Sequence, residues 1–331
     1  MNYRRLGSSN LQVSTLCLGT MMFGDQTGLE EAATIVADAH GHGINYIDTA
    51  DVYTRGASET MVGQLLLGQR HDWVLATKLG NKMSERVNES QFSRTWMMRE
   101  IDASLRRLQT DYVDILYMHL DINGMNLEEP LRALGDMVQA GKIRYWGVSN
   151  FRGWRIAEAV HLARQMKLPA PVVCQPYYNL LNRMPEVEVL PACAFYGLGV
   201  TPYSPIARGV LTGKYLPGQP AAAGTRAGRG DKRITDTEFR DESLQIAQKL
   251  QTYVADKGVS LAQFATAWVL ANPRVSSVIA GPRTLAQWKD YLPATGYKIT
   301  AQDEEIVNSL IKPGHPSTPG FTDPAYPLNG R

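Results

Sequence analysis

Short apolar runs alternate with helix-period stretches along almost the whole chain, and this rhythm limits the fold more than any other feature. Runs at 15–18, 44–48, 73–77, 112–118, 143–148, 171–174, 198–201 and 275–280 have the length of buried strands. Helical stretches follow at about 29–42, 58–67, 91–108, 127–140, 154–166, 187–195, 236–256, 261–271 and 285–291. Strand then helix, repeated eight times, implies a parallel sheet, because only a crossover connection joins parallel neighbours. Eight such units favour a closed (β/α)8 TIM barrel over a doubly wound open sheet of the same units. A short β-hairpin precedes them within 1–14, turning at Gly7-Ser8-Ser9-Asn10. The expectation is one barrel domain over 1–331.

Two segments break the rhythm. Residues 217–235 are rich in Gly, Pro, Ala and cations and read as a long flexible surface loop. A solvated insertion and a lid over an anionic ligand both fit that composition. The end, 312–331, is Pro/Gly-rich and reads as an extended tail, with Phe321 and Tyr326 as its anchors if it lies on the barrel.

Composition narrows the partners. The 331 residues carry a net charge of +2 and 20% charged side chains, interleaved rather than blocked, so no nucleic-acid surface is expected. Cys17, Cys174 and Cys193 form no metal pattern and suit a reducing compartment. No run reaches the ~20 apolar residues of a membrane span, and the first residues lack a signal-peptide core. A cytoplasmic protein acting on a small molecule, without membrane or nucleic-acid partners, is the resulting expectation. Monomer and homo-oligomer both remain open.

Polar residues stand at the strand ends. Asp48 closes Ile44-Asn45-Tyr46-Ile47-Asp48, with Tyr53 just beyond. Lys78 closes the run from Trp73, and His119 closes the run from Tyr112. In a parallel barrel all strand C-termini open on one face, so these groups converge. A phenol near pKa ~10 is a weak acid at neutral pH. A neighbouring ammonium stabilises its phenolate, and a carboxylate keeps that ammonium charged. Histidine adds a hydrogen bond to a carbonyl oxygen or a step in a proton relay. Singly, each has an ordinary explanation: a helix cap for Asp48, a solvated charge for Lys78, a structural imidazole for His119. Together they make a proton-donating site that lacks only a hydride source.

Other motifs are weaker. Gly197-Leu198-Gly199 comes late, with Pro202 where a dinucleotide fingerprint needs its last glycine. Tyr253 and Lys257 have the Tyr-x-x-x-Lys spacing of another dehydrogenase class, but no glycine-rich loop accompanies them. His40-Gly41-His42 has metal-ligand spacing yet precedes a strand, on the face opposite the barrel's site. No metal is expected.

The stretch Gly43 to Tyr53, with Gly56-Ala57-Ser58-Glu59 after it, resembles the signature of the aldo-keto reductase superfamily. Ala76-Thr77-Lys78, the run ending at His119, and Gly147-Val148-Ser149-Asn150-Phe151 resemble it too. Tyr203-Ser204-Pro205-Ile206-Ala207-Arg208-Gly209 through Lys214-Tyr215 is similar to the bacterial and potassium-channel-beta-subunit branch. The likeness runs from Leu6-Gly7 to about residue 292. It implies NAD(P)H-dependent reduction of aldehydes or ketones to alcohols, reversibly. Tyr53 would be the proton donor, Lys78 would lower its pKa, Asp48 would pair with Lys78, and His119 would orient the carbonyl.

The resemblance also implies a cofactor path. Ser149, Asn150 and Gln175 would hold the carboxamide, and Tyr203 would stack on the nicotinamide for roughly 1 kcal/mol. Gly19, Thr20, Met21 and Asp48 would line the near end. Ser204, Pro205, Ile206, Arg208, Gly209 and Lys214 would follow the phosphates. Gly281 precedes a helix N-terminus whose free N–H groups would bind phosphate, with Gln287 and Asp290 further along that helix. Arg283 suits a 2′-phosphate, which favours NADPH over NADH. Met22, Phe23, Trp154 and Tyr178 are candidates for an apolar substrate pocket. A regulatory barrel that binds cofactor with little turnover is the alternative.

Overall fold

The computed structural model describes residues 1–327, so 328–331 of the expected tail lie outside the described residues. A hairpin of β1 (Tyr3–Arg5) and β2 (Gln12–Ser14) comes first. Among the described residues eight strands follow in one parallel sheet. They are β3 (Leu16–Gly19), β4 (Tyr46–Asp48), β5 (Val74–Leu79), β6 (Val113–Met118), β7 (Ile143–Ser149), β8 (Val173–Gln175), β9 (Gly199–Val200) and β10 (Val278–Ala280). Chain neighbours are sheet neighbours, and β10 pairs back onto β3. Val200 bridges Val275 in parallel, and Ile279 N–H reaches Pro202 O at 3.0 Å, which closes the ring. The fold is a (β/α)8 TIM barrel, and among the described residues no helix is long and apolar enough to cross a membrane.

The helices wrap the outside: α1 (Leu29–Gly41), α2 (Ala57–Leu65), α3 (Arg94–Leu108), α4 (Glu128–Gln139), α5 (Gly153–Gln165) and α6 (Val189–Tyr196). After the long loop come α7 (Lys232–Thr237), α8 (Asp241–Val254), α9 (Leu261–Ala271), α10 (Leu285–Tyr291) and α11 (Ala301–Leu310).

Strand alternation sorts the side chains into two cores. Ile47, Leu75, Leu116 and Val148 point outward and pack in the main cluster with the helices. Each such buried aliphatic side chain contributes roughly 1.5–3 kcal/mol. Cys17, Tyr46, Ala76, Tyr117, Val173 and Ile279 point inward and fill the barrel. Leu6 and Val13 of the hairpin join that inner set and close the barrel floor. Gly7 makes this approach possible, since a Cβ there would meet Gly199 N at 2.4 Å. Two residues further along each strand, the inward series continues as Gly19, Asp48, Lys78, His119, Gln175 and Gly281.

Three local readings need correction. The helix expected over 236–256 is split into α7 and α8. Asp231 caps α7 by accepting the Ile234 N–H at 3.1 Å, which starts a helix inside the expected 217–235 loop. Arg240 is then extended, with its guanidinium on Ser317, Thr318 and the Phe321 ring, 3.7 Å from the ring centroid. The helix expected from 91 begins at Arg94, because Gln91 has φ 64° and Ser93 supplies the cap. Helix α11 was not expected at all, although Thr300 and Asp303 form a reciprocal capping box at its start.

The tail lies extended on the barrel over its described length. Ser317 N–H donates to Leu181 O at 2.8 Å, Asp323 takes Arg233 in a bidentate pair, and Arg152 donates to Tyr326 O at 2.9 Å.

The Tyr253 and Lys257 pair has a structural partner. Both reach Asp303, at 2.9 and 3.0 Å, so they fasten the end of α8 to the start of α11. Those partners and Thr300 hold the Asp303 carboxyl at about 2, below its usual 3.8, against the opposing effect of burial. Its stabilisation is therefore complete above about pH 4 and fades as pH falls towards 2. Urea titration of Asp303→Ala at pH 7 is expected to show a loss of about 2 kcal/mol. The gap from wild type should narrow at pH 3. A constant gap across that range would contradict this assignment.

Candidate active site

Inward registry delivers the polar groups to one cavity of about 790 Å³ at the strand C-termini. Asp48, Tyr53 and His119 line it, and Lys78 lies fully buried behind them. Lys78 Nζ donates to Asp48 Oδ1, to Thr49 O at 2.7 Å and to Tyr53 Oη at 3.1 Å. Three acceptors satisfy its three protons. The second Asp48 oxygen accepts from Gln175 Nε2 at 2.9 Å. The ammonium also lies 4.6 Å from the Tyr53 ring centroid. His119 stands edge-on to Tyr53, with ring centroids 5.9 Å apart.

Burial and charge set the protonation states. Burial opposes the Lys78 charge, but Asp48 and Tyr53 outweigh it and hold the ammonium above the usual lysine range. Burial pushes the Asp48 carboxyl up, against the pull of Lys78 and Gln175. His119 is held well below 6.5 by burial and by Lys78, so its ring is neutral. Its Nδ1 is buried without a partner. Lys78 lowers the Tyr53 phenol as expected, but burial acts more strongly in the other direction. Burial pushes the phenol above 10, and Lys78 only partly offsets this. The arrangement can therefore keep a proton on Tyr53 at neutral pH and stabilise the phenolate left when it departs.

The cavity continues away from the tetrad past every residue expected along the cofactor path. Gly19, Thr20 and Met21 form one side, and Ser149, Asn150, Gln175, Tyr203 and Ser204 the other. Pro205, Ile206, Arg208, Gly209 and Lys214 lead to Gly281, Arg283, Gln287 and Asp290. Several are already engaged with one another. Asn150, at φ 62°, donates to His119 O at 3.0 Å and accepts from Tyr203 Oη at 2.8 Å. Ser149 Oγ donates to Gln175 O at 2.9 Å. Tyr203 stacks on Tyr177 with centroids 5.3 Å apart, so a rigid aromatic pair backs the cavity.

Three of the N–H groups near Gly281 are engaged within the protein. Leu285 N–H donates to Glu31, Gln287 N–H to Thr284, and Arg283 N–H to Gln287 Oε1 at 2.9 Å. Asp290 is held by Ser260 and Gln263. Side-chain cations add to the positive potential at this end. Lys214, Arg229 and Arg283 line the same end, and none of the three makes an ion pair among the described residues. Burial and the nearby Arg283 and Arg229 push Lys214 below its usual range. Like charges held together this way suit a polyanion such as a dinucleotide carrying an extra phosphate. The residues present thus fit a nicotinamide dinucleotide.

The substrate-pocket candidates divide. Met22 lines the cavity beside the tetrad. Phe23 is fully buried in the main core. Tyr178 packs on Trp268 and bonds Glu186 at 2.8 Å, away from the cavity. Trp154 is 59% exposed on the outer face of α5. Sequence reading missed Asn81, Val52, Thr54 and Tyr326 at the tetrad end, Arg229 beside Lys214 and Arg283, and Arg226 and Arg233 elsewhere on the cavity wall. The three arginines fall in the cation-rich 217–235 segment, which was the available signal. His40 and His42 sit apart from the cavity near Trp73 and Asp38, and no group of metal-ligating side chains occurs among the described residues.

Comparison with known proteins agrees with this geometry. The family model described as Aldo/keto reductase family matches residues 15–312. A probable voltage-gated potassium channel subunit beta of Oryza sativa subsp. japonica is 39% identical, over 85% of this chain and 87% of that protein. An uncharacterized oxidoreductase of Bacillus subtilis is 35% identical, over 98% of this chain and 99% of that protein. The L-glyceraldehyde 3-phosphate reductase of Escherichia coli strain K12 is 33% identical, over 89% of this chain and 87% of that protein. A barrel with this polar cluster at its strand ends, matched by the family over nearly its whole length, leaves one assignment: the chain belongs to the aldo/keto reductase family.

Proposed function

We propose that the protein is an NADPH-dependent oxidoreductase that reduces aldehydes or ketones to alcohols. The observation that carries this reading is the 3.1 Å bond from Lys78 Nζ to Tyr53 Oη on the wall of a cavity that ends in three cations without an ion pair among the described residues. When bound, the reduced nicotinamide supplies the hydride. Ser149, Asn150 and Gln175 would orient its carboxamide, with Tyr203 against the ring. Lys214, Arg229 and Arg283 would hold its phosphates.

The chain's own groups manage the proton. Neutral His119 donates an N–H bond to the substrate oxygen and sets its place beside Tyr53. Tyr53 Oη gives its proton to that oxygen as negative charge develops there. Lys78 meets the phenolate so formed, and Asp48 keeps Lys78 charged throughout. The upward shift of Tyr53 suits the reducing direction at neutral pH. In reverse, Tyr53 must first lose its proton, so alcohol oxidation gains with rising pH.

Some relatives are named as channel subunits, and a cofactor-binding barrel with little turnover is the rival reading. Steady carbonyl-dependent NADPH consumption separates the two. A panel of short aldehydes, sugars and aromatic carbonyls is the direct test. Binding of NADPH with no turnover on any carbonyl would favour the rival. Cofactor choice is tested by Arg283→Ala, which should raise the KM for NADPH about tenfold and leave that for NADH nearly unchanged, since one charge-assisted phosphate contact is removed. An equal rise for both cofactors would place Arg283 away from the 2′-phosphate.

A further inference from the structure

The turn that follows Tyr53 is strained. Thr54, Arg55 and Gly56 have φ of 48°, 51° and 90° in succession. For the two non-glycine residues this conformation is disfavoured, so contacts outside the turn must hold it.

A buried charged cluster behind the cavity supplies those contacts. Gly56 lies against the Arg107 side chain, and a Cβ there would meet Arg107 Cδ at 2.7 Å. Arg107 Nε donates to Glu59 Oε2 at 2.7 Å, and its Nη2 to Glu100 Oε1 at 2.5 Å. Glu59 is fully buried, and its other oxygen accepts from Thr77 Oγ1 at 2.5 Å. Thr77 immediately precedes Lys78 on β5. At the near end of the loop, Asp51 N–H donates to Lys78 O at 3.1 Å, and Asp51 Oδ1 accepts from Val52 N–H at 2.6 Å. The segment carrying Tyr53 and the strand carrying Lys78 are thus fastened at two points.

Glu59, Glu100 and Arg107 do not line the cavity. A buried ion pair is also weak evidence for stability, because well-packed apolar groups often replace one at no loss. What this network provides is a fixed distance between two side chains on different elements.

We propose that Glu59 and Arg107 are positioning residues that keep Tyr53 Oη at hydrogen-bond distance from Lys78 Nζ. The proposal rests on the reading of Tyr53 as proton donor. Slackening the turn by about 1 Å breaks the proton-donor geometry, a displacement that can cost about a hundredfold in rate.

The test compares Glu59→Gln, Arg107→Met and Thr77→Val with wild type and with Tyr53→Phe. The measurements are kcat, KM for NADPH and carbonyl, the solvent isotope effect on kcat, and hydrogen exchange of the amides of residues 51–57. Expected are a fall in kcat of about ten- to a hundredfold, an unchanged KM for NADPH, a larger isotope effect and faster exchange confined to 51–57. A purely structural role predicts a lower melting temperature with kcat per folded molecule, isotope effect and local exchange all unmoved, and that result overturns the proposal. If Arg107→Met does not fold, Thr77→Val, which removes only a hydroxyl from the network, decides the question by the same readouts. Retained turnover in Tyr53→Phe would instead defeat the underlying reading. The exchange data then decide the brace alone: faster exchange supports it and unchanged exchange overturns it.

Discussion

Tyr53→Phe is expected to lose carbonyl reduction by about two to four orders of magnitude, the usual effect of deleting a general acid. The substitution removes one oxygen and little else. The ring keeps its edge contact with His119 and its place beside the Lys78 ammonium. Lys78 retains Asp48 and Thr49 O, so no buried charge is left without a partner. Folding and NADPH binding should therefore match wild type, which a melting curve and a fluorescence titration would show. The loss should appear in kcat, because the proton moves only in the transition state. His119 cannot take over, since its ring is neutral at the working pH and an N–H of neutral imidazole is a far weaker acid than a phenol. A variant that keeps a tenth or more of wild-type kcat would remove Tyr53 from the role of proton donor.

Much of this site was legible because period-two alternation is a local rule. Once Tyr46, Ala76, Tyr117 and Val173 are inner residues, Asp48, Lys78, His119 and Gln175 must follow them onto the open end. No such rule covers the loops. Phe23 and Met22 are adjacent in sequence, and only packing sends one into the core and the other to the cavity. Trp154 and Tyr178 failed as pocket residues for the same reason, since an aromatic near a strand end has three places to go. Tyr326 reaches the tetrad end through a tail held by Arg233 and Asp323, a pair separated by ninety positions. At the expected anion-binding end, the start of α10 is already partly engaged. Glu31, 254 positions away in the chain, and Thr284 accept two of the N–H groups there, those of Leu285 and Gln287. The lowering effect of Lys78 on Tyr53 was legible from spacing, whereas the larger opposing effect of burial was not, because burial depends on the whole barrel.

Lys78→Met should lower stability by about 3–5 kcal/mol and abolish turnover, because it strands a carboxylate inside the barrel. Asp48 is 2% exposed, and without Lys78 its remaining side-chain partner is Gln175 Nε2. Its protonation at neutral pH would relieve part of the penalty, so the loss should be larger at pH 8 than at pH 5. The sign follows from the carboxylate, which is charged in the unfolded chain at both pH values and resists charging in the folded variant. Adding Asp48→Asn removes the stranded charge. The double variant should recover much of the lost stability, because a neutral pair avoids the desolvation penalty that the ion pair had offset. Turnover should stay absent in the double variant, since nothing remains to stabilise the Tyr53 phenolate. Urea unfolding of both variants at the two pH values, with kcat measured in parallel, separates the two functions of the pair. Wild-type stability in Lys78→Met would mean that Asp48 carries no charge in the folded protein. Activity in the double variant would mean that Tyr53 works without Lys78.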